Sequence, residues 1–198
     1  MRHDERIKIL ECEGVYPPAE DTFLLLQCVP DVRGKKVLEM GCGTGIIALN
    51  CAAAGAEVTA VDINPKAVQC TKSNAELNGL ELEVVISDLF LDVEGRFDLI
   101  IFNPPYVPDM IRGEIERSWA GGEDGVRVLD RFLRAAPRHL NEGGEMLILF
   151  SSCMNESALQ CALSQFVRDR IASRHLFFEE IWVERLILPR HATHGFKK

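Results

Sequence analysis

From about residue 19 onward the chain alternates short apolar runs with longer amphipathic stretches. Apolar runs of four to eight residues bounded by Gly, Pro, Asn or Asp read as strands. Stretches with apolar residues three and four apart read as helices. A first helix is predicted over Ala19–Cys28, with Phe23–Leu26 toward the core. Strand Lys36–Met40 leads into helix Gly45–Ala54, and strand Glu57–Asp62 into helix Pro65–Asn78. Asn64 can cap that last helix, Pro65 suits its first position and Gly79 its end. Strands Leu82–Ser87 and Phe97–Asn103 follow, then helix Asp124–His139, strand Gly144–Ser151 and helix Asn155–Arg168. The end reads as a hairpin of Ile171–Leu176 with Ile181–Leu188. Strand–helix alternation predicts an α/β fold built on a parallel sheet. One loop, Val107–Glu123, breaks the rhythm, and loops of that length in compact domains are often functional. All 198 residues are expected to form one domain. Residues 1–14 form an N-terminal extension, and the tail 191–198 is expected to be flexible.

Two of these junctions carry candidate chemistry. The first is Val37-Leu-Glu39-Met-Gly41-Cys-Gly43-Thr-Gly45, where a strand runs into a glycine-rich turn that opens a helix. Glycines let the backbone approach a ligand, and the helix start offers free N–H groups. The spacing is G-x-G-x-G, not the G-x-G-x-x-G of dinucleotide-binding turns. Glu39 stands two residues before the first glycine and suits a ligand with an amino group and a cationic centre. Asp62 ends the next strand and can take both ribose hydroxyls. Asp88 ends the third and can accept from an adenine amino group. Three acids would repel a pyrophosphate, which argues against a nicotinamide-binding Rossmann protein.

The second junction is Asn103-Pro104-Pro105-Tyr106, after the apolar run Phe97–Phe102. Adjacent prolines cannot continue a central strand or a helix, so the chain leaves the sheet at a rigid, extended corner. The Asn103 oxygen and the Pro104 carbonyl can accept the two hydrogens of a planar –NH2 group, with Tyr106 packed beside it. A plain turn also favours Asn and Pro. What separates the readings is the order in which the corner follows the glycine turn and two strand-end acids.

Composition narrows the classes. A hydrophobic share of 47% and a charged share of 26% are those of a globular protein. The net charge of −8 removes the broad positive field that supplies most non-specific nucleic-acid affinity, so a nucleic-acid partner is disfavoured. Seven cysteines, an odd number with no Cys-x-x-Cys pair, read as reduced thiols of a cytoplasmic protein. Cys42, inside the glycine turn, reads as a small buried thiol. No apolar run is long enough to span a bilayer, and the first residues lack a signal-peptide core, so no membrane partner is expected. His191 and His194 have no acidic companion, so no metal site is expected.

The glycine turn, Glu39, Asp62, Asp88 and the Asn-Pro-Pro-Tyr corner resemble class I S-adenosylmethionine methyltransferases that methylate planar amides or amines. The segment Tyr16-Pro-Pro-Ala-Glu20-Asp21-Thr22 is similar to the opening of the archaeal and eukaryotic peptide-release-factor glutamine methyltransferases of the HemK family. Trp119-Ala-Gly-Gly122 with Gly125 also resembles that family. The likeness runs from roughly Val15 to Leu188. One departure is Pro17-Pro18, where the family more often has an acidic residue before the proline.

The resemblance implies a seven-stranded, mostly parallel Rossmann-like sheet with an antiparallel last strand and helices on both faces. It implies S-adenosyl-L-methionine as cofactor and S-adenosyl-L-homocysteine as product. Gly41, Gly43 and Gly45 would meet the methionine part together with Glu39 and Thr22. Asp62 and Ile63 would meet the ribose side, and Asp88 with the Leu89 backbone the adenine. Asn103, Pro104, Pro105 and Tyr106 would hold the substrate amide, with Asn103 touching the cofactor as well. The implied substrate is the glutamine of a release factor's Gly-Gly-Gln loop. The implied partner is a small zinc-binding activator at the edge formed by the third strand, whose Leu82, Val84, Val85 and Ile86 are apolar. A strand covered by helices on both faces would carry the same apolar run. N(6)-adenine methylation, lysine methylation and a cofactor-binding module with a vestigial site remain as alternatives.

Overall fold

The computed structural model describes residues 1, 3–106 and 126–189. The long loop with Trp119, Gly121 and Gly122, the nearby Gly125, and the tail with His191 and His194 lie outside the described residues.

Seven strands form one sheet: β1 (Lys36–Met40), β2 (Glu57–Asp62), β3 (Glu83–Ile86), β4 (Phe97–Phe102), β5 (Leu140–Ser151), β6 (Val167–His175) and β7 (Glu180–Ile187). Their order is β3-β2-β1-β4-β5-β7-β6. β1 to β5 pair in parallel, while β7 runs antiparallel to both β5 and β6. The helices are α1 (Glu20–Cys28), α2 (Ile46–Ala53), α3 (Pro65–Asn78), α4 (Arg127–Ala135) and α5 (Glu156–Leu163).

Alternate residues of the central strands feed two cores, as the pleat requires. Leu38, Ile100, Met146 and Ile148 pack with Phe132 and Leu133 of α4 and Leu159 of α5 on one face. Val37, Leu99, Ile101 and Leu147 pack with Leu25 of α1 and Ile47 of α2 on the other. With both faces covered, the central strands read as continuous apolar runs.

The boundaries of β1, β2 and α3 are those predicted, because each is closed by a strong local signal. Asn64 accepts from Lys66 N–H, Pro65 is the first residue of α3, and Gly79 ends it at φ 62°. The larger corrections lie in the last third. The helix predicted to end at His139 stops at Ala135, and Ala136–His139 is a 3₁₀ turn containing Pro137. The helix predicted to reach Arg168 stops at Leu163, and β6 begins at Val167 rather than Ile171. Its charged residues hide the strand period, but tertiary pairing supplies what the pattern lacks. Arg168 donates to both carboxylate oxygens of the buried Glu184 on β7, at 2.7 and 2.8 Å.

The N-terminal extension is a structural element. Its alternate residues Lys8 and Leu10 donate their N–H groups to Asn78 Oδ1 and Asn74 Oδ1, both at 2.8 Å. Cys12, two residues further, is joined to Cys70 in a disulfide. This corrects the expectation of seven reduced cysteines, since five are free. The physical reason is a match of repeats: four helical residues rise about 6 Å, and two extended residues span about 6.6 Å. Residues 70, 74 and 78 of α3 therefore meet 12, 10 and 8 of an extended segment in register. A pairing across 58 residues of sequence has no local signature.

Candidate active site

The strands β1, β2 and β4 end at one level. Met40 pairs with Val61 on one side and with Phe102 on the other, so Gly41 emerges between Asp62 and Asn103. Asp62 pairs with Ile86, which brings Asp88 to the same end. A cleft of about 270 Å³ opens over these ends. Of the residues predicted for the site, all but Gly45 line it: Thr22, Glu39, Gly41, Gly43, Asp62, Ile63, Asp88, Leu89, Asn103, Pro104, Pro105 and Tyr106. Gly45 itself shapes the turn behind the lining.

The glycine turn is built by backbone geometry. Gly45 precedes α2 at φ 82°, and a Cβ there would meet Thr71 Cγ2 at 2.7 Å. Only glycine satisfies both constraints. The two acids that flank the turn also brace it. Asp62 accepts from Gly43 N–H at 3.0 Å and Asn64 N–H at 2.8 Å, and Glu39 accepts from Ala48 N–H at 2.8 Å. Burial pushes the Glu39 carboxyl up to about 8, against the pull of the Ala48 hydrogen bond, with the nearby Asp62 charge adding to the rise. Burial raises Asp62 as well. Both acids are thus held desolvated at the cleft, where a cationic or hydroxyl-rich ligand restores what burial removed. Burial also raises the Cys42 thiol well above its ordinary value, which keeps it a neutral packing group.

At the third strand end, Leu89 has φ 54°, the one positive value among described non-glycine residues. The Ser87 hydroxyl stabilises this turn by donating to Leu89 C=O at 2.9 Å and accepting from Asp92 N–H at 3.0 Å. Such strain persists where the surroundings over-determine it, often at ligand sites. Ile63, exposed, also lines the cleft. One oxygen of Asp88 accepts from Arg131 of α4 at 2.8 Å. Sequence reading missed Arg131, because nothing local marks one arginine of a charged helix as the one that reaches β3.

At the corner, the Asn103 amide nitrogen donates to Asp21 Oδ2 at 2.9 Å. Its oxygen is buried and has no hydrogen-bond partner among the described residues. Tyr106 and Tyr16 also donate their hydroxyls to Asp21 Oδ2, each at 3.3 Å. Burial, and then the Asp21 charge, push the Tyr106 phenol far up, so it remains a protonated donor. Asp21 is 3% exposed. The sequence alone does not single it out, because Glu20-Asp21 reads as two ordinary acids in a first helical turn. Burial separates them: Glu20 is exposed and pairs with Arg174. Thr22 is buried, and its hydroxyl accepts from Ala19 N–H at 3.2 Å, so it opens the helix as well as lining the cleft.

The methyltransferase small domain family matches residues 7–172. The chain belongs to that family. A Methanocaldococcus jannaschii protein with the provisional name protein N5-glutamine methyltransferase is 46% identical over 77% of this chain and 80% of its own length. The Mus musculus methyltransferase HEMK2 is 40% identical over 66% of this chain and 68% of its own. Among solved structures, the E. cuniculi Mtq2-Trm112 complex, described as responsible for methylation of the translation termination factor eRF1, superposes with a TM-score of 0.69. It is 23% identical and covers 89% of this chain and 99% of that one, a likeness of fold.

The chain is a HemK-type class I methyltransferase, and its cofactor is S-adenosylmethionine. The residues at the cleft fit that group: carboxylates for an ammonium, for ribose hydroxyls and for an exocyclic amine. When bound, the cofactor supplies a methyl group on a sulfonium centre. Among the described residues there is no cluster able to hold a metal, and no helix is long and apolar enough to cross a membrane.

Proposed function

We propose that this methyltransferase modifies the side-chain amide nitrogen of the glutamine in a release factor's Gly-Gly-Gln loop. The observation that carries the reading is the buried Asn103 oxygen, without a partner among the described residues, on a side chain that lines the cleft. A buried acceptor without a donor costs about 1–3 kcal/mol, and a substrate –NH2 group would satisfy it. The Pro104 carbonyl lies next in the chain and would take the second hydrogen.

An amide nitrogen is a poor nucleophile, because its lone pair is shared with the carbonyl. Two acceptors on its hydrogens hold the nitrogen in line for attack and favour the positive charge that grows on it. Positioning and aimed dipoles, not a strong base, would then carry the rate. The reading agrees with what the names of the archaeal relative and of the solved complex say of those proteins. A cytoplasmic place of work follows from such a substrate.

The same reading includes a partner. β3 ends the sheet with four residues, and Ile86 on it is 53% exposed. Helices therefore do not cover this strand completely. A small activator protein adding a strand there would pair its free N–H and C=O groups and cover Ile86. Lysine methylation gains one observation, the Asp21 carboxylate at the corner, where the sequence suggested no acid.

The test is methyl transfer from labelled S-adenosylmethionine to four substrates: a release factor, its glutamine-to-alanine variant, a lysine-bearing peptide and duplex DNA. Label is expected on the first alone. Equal labelling of the glutamine-to-alanine variant, or label on DNA, overturns the reading.

A further inference from the structure

We propose that Asp21 is the positioning residue of the corner. It selects the one orientation of the Asn103 amide in which the oxygen, not the nitrogen, faces the substrate. The proposal rests on the reading of Asn103 as acceptor and adds what makes it one.

An asparagine side chain is chemically two-sided, with an acceptor and a double donor of nearly equal size. Nothing in Asn103 itself decides which side faces the cleft. A flip would present –NH2 to –NH2, with no hydrogen bond and with dipoles that oppose positive charge on the substrate nitrogen. Asp21 removes that choice. Its Oδ2 lies 2.9 Å from the Asn103 nitrogen, and an ionised carboxylate only accepts. In the flipped state two oxygens would meet at that distance, inside a site from which water is largely excluded.

The carboxylate is itself held from both sides. Its Oδ1 accepts from Thr22 N–H at 2.6 Å and the Thr22 hydroxyl at 3.2 Å, while Tyr16 and Tyr106 donate to Oδ2. An ordinary helix-start acid would need only the Oδ1 contacts. The three donors on Oδ2 come from outside α1, and two of them, Asn103 and Tyr106, come from the corner 82 and 85 residues away. A negative charge behind the amide also polarises it, so its oxygen becomes a stronger acceptor.

The arrangement predicts a swap. Asn103→Asp alone sets two carboxylates against each other and removes the donor. Adding Asp21→Asn returns a donor on the other side of the same bond, and residue 103 again has an oxygen free for the substrate. Methyl transfer to the release factor should fall by about tenfold or more in Asp21→Ala, in kcat rather than in S-adenosylmethionine affinity. It should fall at least as far in Asn103→Asp, and recover by about tenfold or more from that level in the double variant. A second readout needs no substrate. In protein labelled with ¹⁵N-asparagine, the Asn103 side-chain amide, assigned by its loss in Asn103→Ala, should exchange with water about tenfold faster or more in Asp21→Ala. An unchanged exchange rate overturns the proposal, as does a double variant no more active than Asn103→Asp. A wild-type protein that labels no Gly-Gly-Gln substrate would instead sink the substrate reading, and the exchange measurement would still decide the role of Asp21.

Discussion

The two halves of the cleft are made in different ways. The half proposed to take the cofactor comes from segments that are each short in sequence: strand, glycine turn and helix start within residues 36–48, with one acid at the end of each of the next two strands. Its shape is backbone shape, set by positive φ at Gly41, Gly43 and Gly45. The half proposed to take the substrate is made by side chains that come from far apart. Tyr16 and Asp21 stand at the entry of α1, while Asn103 and Tyr106 stand after β4, and they meet at one carboxylate. A backbone site tolerates changes of nearby side chains but not of its glycines. A side-chain site of this kind depends on single hydrogen bonds with a defined direction.

The largest effect that would test this contrast is on turnover. Asn103→Ala should lower kcat by about 10²–10³ and leave S-adenosylmethionine affinity within roughly tenfold, because the lost contact is mainly to the substrate amide. Steady-state kinetics with calorimetry of cofactor binding will check it. Near-normal turnover would erase the distinction between the halves. Gly45→Ala is the mirror experiment. A left-handed backbone and a Cβ 2.7 Å from Thr71 should destabilise the fold by about 1–3 kcal/mol and weaken cofactor binding. Thermal unfolding with and without S-adenosylmethionine will show whether the loss sits in the turn.

The smallest effect is a pH slope. Glu39 keeps its proton up to about 8 in the folded protein, whereas the unfolded chain releases it near 4.3. Between these values the folded state binds more protons, so stability falls as pH rises through the window and levels off above about 8. Asp62, also raised, adds to the slope with the same sign. Glu39→Gln keeps an oxygen for the Ala48 N–H but has no proton to lose. Its unfolding midpoint should therefore vary less from pH 5 to 9 than that of the wild type. Parallel profiles would show that Glu39 is ionised in the unliganded cleft.

What was legible in the sequence follows the same division. Gly41, Gly43, Gly45, Glu39, Asp62 and Asp88 could be found because strand ends and turns announce themselves within a few residues. The corner Asn103–Tyr106 could be found because two prolines end a strand wherever they occur. Asp21 and Arg131 could not, since an acid in a first helical turn and an arginine on a charged helix are ordinary until burial and partners are known. The sequence pattern shortens β6 for a related reason: Arg168-Asp169-Arg170 hides a strand whose charges are satisfied by Glu184, Arg185 and Glu180 across the β6–β7 pair.

The sequence by itself determined the α/β alternation, the glycine turn, the strand-end acids and the Asn-Pro-Pro-Tyr corner, because each rests on local backbone preference and on a period of apolar residues. Only the tertiary structure decided that Cys12 meets Cys70, that the extension lies along α3, and that Asp21 Oδ2 receives three donors from two separate segments. Those contacts depend on the register in which distant elements pack. That register emerges from burying the whole core at once, and no window of neighbouring residues contains it.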